Sequence, residues 1–331
     1  MSGIPLLSSA IPSSAPIMDL TVAATGDGPL VVCADARNDL WTWDPLRDTW
    51  RKRPLPFACA ADPLAAQFPD ARNRLNHVAV SASGGRTVLA AGSDGQGVAF
   101  WDLDSGELLQ GTDFTRDYVA ALAAVRGPGP VRFVAAQPNT DVLVLWEEPF
   151  GGDPELLAEF VHVWAVATAW YDGRSLVAGG DGSGVRVWDL AETSELLFDT
   201  NGSAWAVAWS RLGDLPVVVA AADPGELWVW AVPAGSWRRE PLYAPLTGHE
   251  GRICAMDTAT VGGRPLAVTA SEDATIRVWD LAGGTAVGAP LVGHQGTVTA
   301  VTTAVLQGRD VAFSAGRDGV VRAWDLTAAL G

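Results

Sequence analysis

Short apolar runs and short polar breaks alternate along the whole chain. In "RPLAVTASEDATIRVWDL" the apolar positions Leu266, Ala267 and Val268 read as one strand, Ser271–Ala274 as a tight turn, and Ile276–Trp279 as the next strand. β-Branched and aromatic residues fill the predicted strands, and Gly, Asp and Ser fill the turns. Another strand precedes this pair ("RICAMDTA") and another follows Trp-Asp-Leu. The pattern predicts an all-β chain of short antiparallel strands.

The same unit recurs. Trp-Asp stands at Trp43, Trp101, Trp188, Trp279 and Trp324, and the degenerate copies "VLVLWEE" and "LWVWAVP" place Trp146 and Trp230 between them. The seven tryptophans are spaced by 58, 45, 42, 42, 49 and 45 residues. Four short strands in a unit of about 40–45 residues are the signature of a propeller blade. Seven such units predict a seven-bladed β-propeller forming a single domain over residues 1–331, because each blade buries its faces against its neighbours.

The last two units align without a gap, and they carry the strongest resemblance. "TGHEGRICAMDTA…LAVTASEDATIRVWDL" and "VGHQGTVTAVTTA…VAFSAGRDGVVRAWDL" both hold a Gly-His (Gly248-His249 and Gly293-His294) thirty residues before Trp. Both hold a hydroxyl (Thr269, Ser314) four residues before a turn Asp (Asp273, Asp318). The chain resembles the WD40-repeat family over essentially its whole length. The resemblance implies a buried chain of hydrogen bonds in each of these blades: Trp279, Thr269, His249 and Asp273 in one, Trp324, Ser314, His294 and Asp318 in the other. An indole N–H can only donate and a carboxylate can only accept, while His and a hydroxyl do both. His249 and Asp273 are therefore expected to be structural rather than a catalytic pair. The other five units lack the full set. Asp94, Asp181 and Asp223 stand seven residues before Trp, with no Gly-His partner, so these blades are expected to be the weaker part of the ring.

The final unit stops after "WDLTAALG", short of an outer strand, and the N-terminal "GIPLLSSAIPSSAPIMDL" resembles "GAPLVGHQGTVTAV". Gly3–Leu7 is therefore expected to supply the missing strand and close the ring, removing exposed sheet edges.

Composition narrows the partners. The formal net charge of −16 repels a phosphate backbone, so nucleic-acid binding is not expected. No apolar run is long enough to span a membrane, and the N-terminus lacks the basic region of a signal peptide. Three widely spaced cysteines, Cys33, Cys59 and Cys254, read as reduced packing residues in a cytoplasmic protein.

No catalytic constellation emerges. "GGDGSG" (179–184) and "GSDGQG" (92–97) are followed by strands rather than phosphate-cradling helices, so they read as turns. The four histidines show no zinc spacing, no nucleophile elbow occurs, and no metal or cofactor is expected.

The resemblance implies a top face, where loops enter the innermost strands and where partners usually bind. Aligning "YVAAL", "HVWAV", "SAWAV", "RICAM" and "TVTAV" puts Tyr118, His162, Ser203, Arg252 and Thr297 where the loop meets the strand. Trp164, Trp205, Cys254 and Thr299 then fall two residues before the apolar anchors Val166, Val207, Met256 and Val301. Trp, Tyr and Arg are frequent binding anchors. Tyr118, His162, Trp164, Trp205, Arg252 and Thr297 are the candidate partner-binding residues; packing between blades is the alternative for the two tryptophans. The first interval is long, which places an insertion at about residues 55–75, with Phe57, Leu64 and Phe68, either as a surface loop or as a docking element beside the channel. The sequence thus points to a monomeric, non-catalytic scaffold for a protein or peptide partner. A small-molecule site or an atypical enzyme at the channel mouth is the second possibility.

Overall fold

Each apolar–turn–apolar unit folds as one antiparallel sheet, and seven such sheets form among the described residues of a computed structural model. The structure describes residues 5–53, 75–83, 85–93, 97–110, 118–150, 153–159, 161–191, 195–200, 202–232 and 240–329. The expected insertion at 55–75 lies outside these except for Leu75, as do Cys59 and Asp94. Cys33 and Cys254 are free thiols.

In chain order, β1 (Leu7–Ala10) precedes blade 1, which comprises β2 (Ile17–Thr25), β3 (Gly28–Asp35), β4 (Leu40–Asp44) and β5 (Thr49–Arg53). Blade 2 holds β6 (Leu75–Ser83), β7 (Arg86–Ser93), β8 (Gly97–Asp102) and β9 (Leu108–Gln110). Blade 3 holds β10 (Ala121–Ala124), β11 (Arg132–Gln137), β12 (Val142–Glu147) and β13 (Glu155–Glu159). Blade 4 holds β14 (Ala165–Tyr171), β15 (Arg174–Gly180), β16 (Gly184–Asp189) and β17 (Glu195–Asp199). Among the described residues blade 5 has three strands, β18 (Ala204–Leu212), β19 (Leu215–Ala222) and β20 (Glu226–Ala231). On its outer side, Leu242 donates to Val229 and Leu246 exchanges two backbone bonds with Leu227. Blade 6 holds β21 (Ile253–Val261), β22 (Arg264–Ser271), β23 (Thr275–Asp280) and β24 (Thr285–Val292). Blade 7 is built from β25 (Val298–Leu306), β26 (Arg309–Gly316) and β27 (Val320–Asp325), and the chain continues into the short helix α1 (Leu326–Ala329).

The outer strand of blade 7 is β1, antiparallel to β27 with Leu7 opposite Ala323 and Ala10 opposite Val320. The closing strand thus begins where the expected Gly3–Leu7 segment ends, at the alternating "LSSA", whose exposure alternates residue by residue. The innermost strands β2, β6, β10, β14, β18, β21 and β25 neighbour one another in turn, and β25 returns to β2.

The repeated tryptophan has one job throughout the ring: it packs on the preceding blade. Trp43 sits among Phe313, Val321 and Ala323 of blade 7, and Trp101 among Val32, Ala34 and Leu40 of blade 1. Trp279 packs with Ala206, Ala208 and Val219 of blade 5, and Trp324 with Val268, Ala270 and Ile276 of blade 6. Trp43, Trp101, Trp230, Trp279 and Trp324 are all fully buried. Burying such a large ring contributes several kcal/mol per seam, on the order of the 3–5 kcal/mol lost in Trp→Ala core changes.

The repeated aspartate, the next residue and the last of the same strand, works at the turn that follows. Asp280 Oδ1 accepts the N–H groups of Ala282 and Gly283, capping the turn, while Oδ2 pairs with Arg264 at 2.6 Å. Asp102 with Arg86 (2.8 Å), Asp189 with Arg174 (3.0 Å) and Asp325 with Arg309 (3.2 Å) repeat the arrangement. Arginine at the start of the second strand is therefore part of the repeat.

Threonines latch the innermost strands together. Thr168 donates to the carbonyl of Ala124, Thr258 to that of Trp209, and Thr303 to that of Thr258 at 3.1 Å. Asp257 adds a carboxylate to the seam between blades 6 and 7, accepting from Thr303 N–H at 2.7 Å and from the hydroxyls of Thr302 and Thr303.

Candidate functional site

Blade 6 links its four polar groups in line. Trp279 Nε1 donates to Thr269 Oγ1 at 2.9 Å, His249 Nε2 lies 2.8 Å from the same hydroxyl, and His249 Nδ1 lies 2.8 Å from Asp273. Blade 7 repeats this with Trp324 to Ser314 (2.8 Å), Ser314 to His294 (2.8 Å) and His294 to Asp318 (3.1 Å). With Nδ1 carrying the proton, each group is satisfied: indole to hydroxyl, hydroxyl to Nε2, Nδ1–H to carboxylate. Burial pushes His249 below its ordinary value despite Asp273 beside it. Burial pushes Asp273 up, but bonds from Thr275 and His249 outweigh it and hold the carboxyl below its usual range. Asp318 is depressed in the same way, against burial, by His294 and Arg322. The His249 and His294 side chains have no solvent exposure, so no substrate reaches them directly.

The other blades replace the hydroxyl with Cys33, Ala91, Ala135, Gly179 or Ala220, read from the strand registers. Blade 1 substitutes its own buried set: Asp35 takes Ser13 Oγ at 2.6 Å, Trp41 Nε1 at 3.0 Å and two turn N–H groups. In blade 4, burial raises Asp181, while Arg186 at 2.6 Å and Ser183 outweigh it and lower the carboxyl. In blade 5, Trp230 Nε1 is buried with no hydrogen-bond partner.

On the face where loops lead into the innermost strands, four of the candidate residues come together in a row across blades 4 to 6. His162 packs edge-on against Trp164, with centroids 4.9 Å apart. Trp164 stacks on Trp205 at 5.7 Å with planes 22° apart. Arg252 lies over the Trp205 ring, 4.7 Å from its centroid. The row forms because Trp164 and Trp205 hold equivalent positions on successive blades, just before β14 and at the bulge opening β18, while Arg252 reaches back from blade 6.

Three carboxylates that sequence reasoning did not place on this face border the row. Asp141, in the β11–β12 turn, hydrogen-bonds His162 Nδ1. Asp223, in the β19–β20 turn, accepts Trp205 Nε1 at 2.8 Å. Glu272, in the β22–β23 turn, pairs with Arg252 at 3.2 Å. For Asp223 the signal was the displaced turn acid, seven residues before Trp230 instead of six. Trp164 Nε1 is buried and unpaired.

The remaining candidates lie to either side or serve packing. Tyr118 precedes β10 in blade 3 and Thr297 precedes β25 in blade 7, where its carbonyl accepts Arg317 N–H at 3.0 Å. Thr299 donates to the Ile17 carbonyl at 2.6 Å, fastening blade 7 to blade 1. Burial, with Glu272 nearby, pushes the Cys254 thiol up to about 11, so it stays protonated. Among the described residues no group of three His, Cys, Asp or Glu side chains is arranged to hold a metal ion. No described helix is long and apolar enough to cross a membrane.

The geometry defines a closed propeller whose seams are filled by one tryptophan per blade. Residues 154–189, 240–280 and 287–325 match the family model described as WD domain, G-beta repeat, so the chain carries WD40 repeats in three places within its seven-bladed propeller. The matched repeats run from the outer strand of one blade through the third strand of the next, so every sequence repeat ties two blades together. Autophagy-related protein 16 of Arabidopsis thaliana is 32% identical over 116 residues, 34% of this chain and 21% of that protein. Angio-associated migratory cell protein of Homo sapiens is 34% identical over 142 residues, 41% of this chain and 30% of that one. Protein groucho of Drosophila melanogaster is 31% identical over 117 residues, 15% of its length. The chain thus matches less than a third of the length of each of these relatives. The crystal structure of the computationally designed Ika8 protein shares the fold, with a TM-score of 0.59 and 20% identity over 95% of this chain and 97% of that one.

Proposed function

We propose that this protein is a non-catalytic interaction module that binds protein or peptide partners across its top face. The carrying observation is the row His162–Trp164–Trp205–Arg252, which spans three consecutive blades where loops lead into the innermost strands. Tryptophan concentrates binding energy when it sits at the centre of an interface. Tyr118 and Thr297, on blades 3 and 7, extend the surface on either side. The structural hydrogen-bond chains support this role by keeping the blades rigid, so that the row is presented in one geometry. In this reading the module works as a monomer in the cytoplasm, which suits its free thiols.

Affinity capture tests the reading, with wild type compared against a Trp164→Ala/Trp205→Ala variant of matched melting temperature. A stoichiometric protein retained by wild type and lost by the variant is the expected result. Identical recovery by both would remove the top face from the mechanism.

A further inference from the structure

We infer that the row on blades 4 to 6 recognises a basic, arginine-bearing polypeptide segment, and that Arg252 occupies the seat the incoming guanidinium takes. This rests on the top-face reading above and names the partner class for it.

Charge comes first. Each side chain of the row except Trp164 contacts a carboxylate: His162 meets Asp141, Trp205 meets Asp223, and Arg252 meets Glu272. Glu250, in the loop leading into blade 6, and Asp199, at the end of β17 before the loop into blade 5, are exposed as well. The whole chain carries −16. A field of that sign draws basic segments and repels acidic ones.

The geometry then selects arginine. Within the protein, Arg252 already shows the recognition it would give a partner, its guanidinium carbon 4.7 Å from the centre of an indole ring while its Nη2 pairs with a carboxylate. A guanidinium is planar, stacks on aromatic faces and binds carboxylates in a fork, whereas a lysine ammonium is a strongly hydrated point charge. Among the described residues Asp223 meets Trp205 through Oδ2 and Glu272 meets Arg252 through Oε1, and the second oxygen of each is the acceptor we assign to an incoming donor.

Arg252 is weakly held in this seat. Its side chain is 41% exposed and that of Glu272 44%, and ion pairs this open to water are worth little. An arginine carried on a peptide that also contacts Trp164, Asp223 and Asp141 displaces it, and Glu272 changes partners. Removing Arg252 therefore vacates the seat and removes a like charge, so binding of a basic segment becomes tighter.

The test is fluorescence anisotropy with short synthetic peptides of four kinds: arginine-rich, lysine-rich, acidic, and neutral aromatic. Arginine-rich peptides are expected to bind best, with lysine-rich ones several-fold weaker. Trp164→Ala/Trp205→Ala should lose about tenfold or more, equivalent to about 1.4 kcal/mol. Asp223→Asn and Glu272→Gln, surface changes that leave the core intact, should each weaken binding several-fold. Arg252→Ala should tighten it several-fold. Weaker or unchanged binding by Arg252→Ala overturns the displacement. Preference for acidic or neutral peptides that still depends on the two tryptophans overturns the partner class and leaves the top face standing. Binding of every peptide class that ignores the tryptophans, or of none, together with unchanged capture from lysate, overturns both readings. Concentration-dependent self-association lost in the double tryptophan variant assigns the face to a second copy and overturns the peptide.

Discussion

Thr269 receives the indole N–H of Trp279 at 2.9 Å in a site where neither residue is open to solvent. The hydroxyl also lies 2.8 Å from His249 Nε2, so one oxygen completes two partners. Thr269→Val keeps the shape and strands both, which should cost about 1–3 kcal/mol. Thr269→Ser should be close to neutral. Urea denaturation midpoints check this, and equal midpoints for valine and threonine would deny the chain a role in stability.

The same chain makes blade 6 acid-sensitive. His249 is held below its ordinary value of 6.5, so the unfolded chain takes up a proton at a higher pH than the folded one. Its contribution is fully present above that value and is lost as pH falls through it toward the lower folded value. Asp273, also depressed, adds a second loss as pH falls below 3.8. Melting temperature should therefore decline from about pH 7.5 to pH 5 in the wild type, and less steeply in His249→Gln. Parallel profiles would refute the assignment.

The Trp-Asp aspartate has two duties that substitution can separate. Asp280→Asn keeps an acceptor for the N–H groups of Ala282 and Gly283 and loses the ion pair with Arg264. That pair is half-open to water, so the change should cost only a few tenths of a kcal/mol, within the 0–1 kcal/mol of exposed pairs. Asp280→Ala loses the cap as well and should cost about 1–2 kcal/mol. If thermal melts put the two variants level, the cap contributes nothing.

Blade 5 invites repair. Trp230 Nε1 has no acceptor, and Ala220 stands at the register position that Thr269 fills in blade 6. Ala220→Ser supplies the missing oxygen and should stabilise by about 0.5–1 kcal/mol. A lower melting temperature in this variant would mean that the seam lacks room for the hydroxyl.

The sequence displays the blades because their cause is local: period-two strands, turn residues, and one tryptophan per unit. The two polar chains were legible for the same reason, since matching units place Thr269 and Ser314 alike. What stayed hidden depends on register and on neighbours. Arg264 and Asp280 are sixteen residues apart and meet only because β22 and β23 pair with Leu266 opposite Asp280. Asp35 is completed by Ser13, which precedes the first repeat and belongs to no unit. Trp164 and Trp205 were visible as equivalent positions, but Asp141 and Glu272 reach the row from turns of other blades. The long first interval pointed to 55–75, whereas the contacts that can be described lie on blades 4 to 6.

β1 belongs in space to blade 7 and in sequence to the segment before blade 1. Leu7 meets Ala323 only after all seven blades have been laid down between them. Until then every partial ring carries an open strand edge at each end, and the N-terminal segment is a loose thread without a blade to join. Closure therefore couples all seven seams at one late moment. The molecule passes from a string of stacked sheets to a hoop in which loosening any seam strains every other.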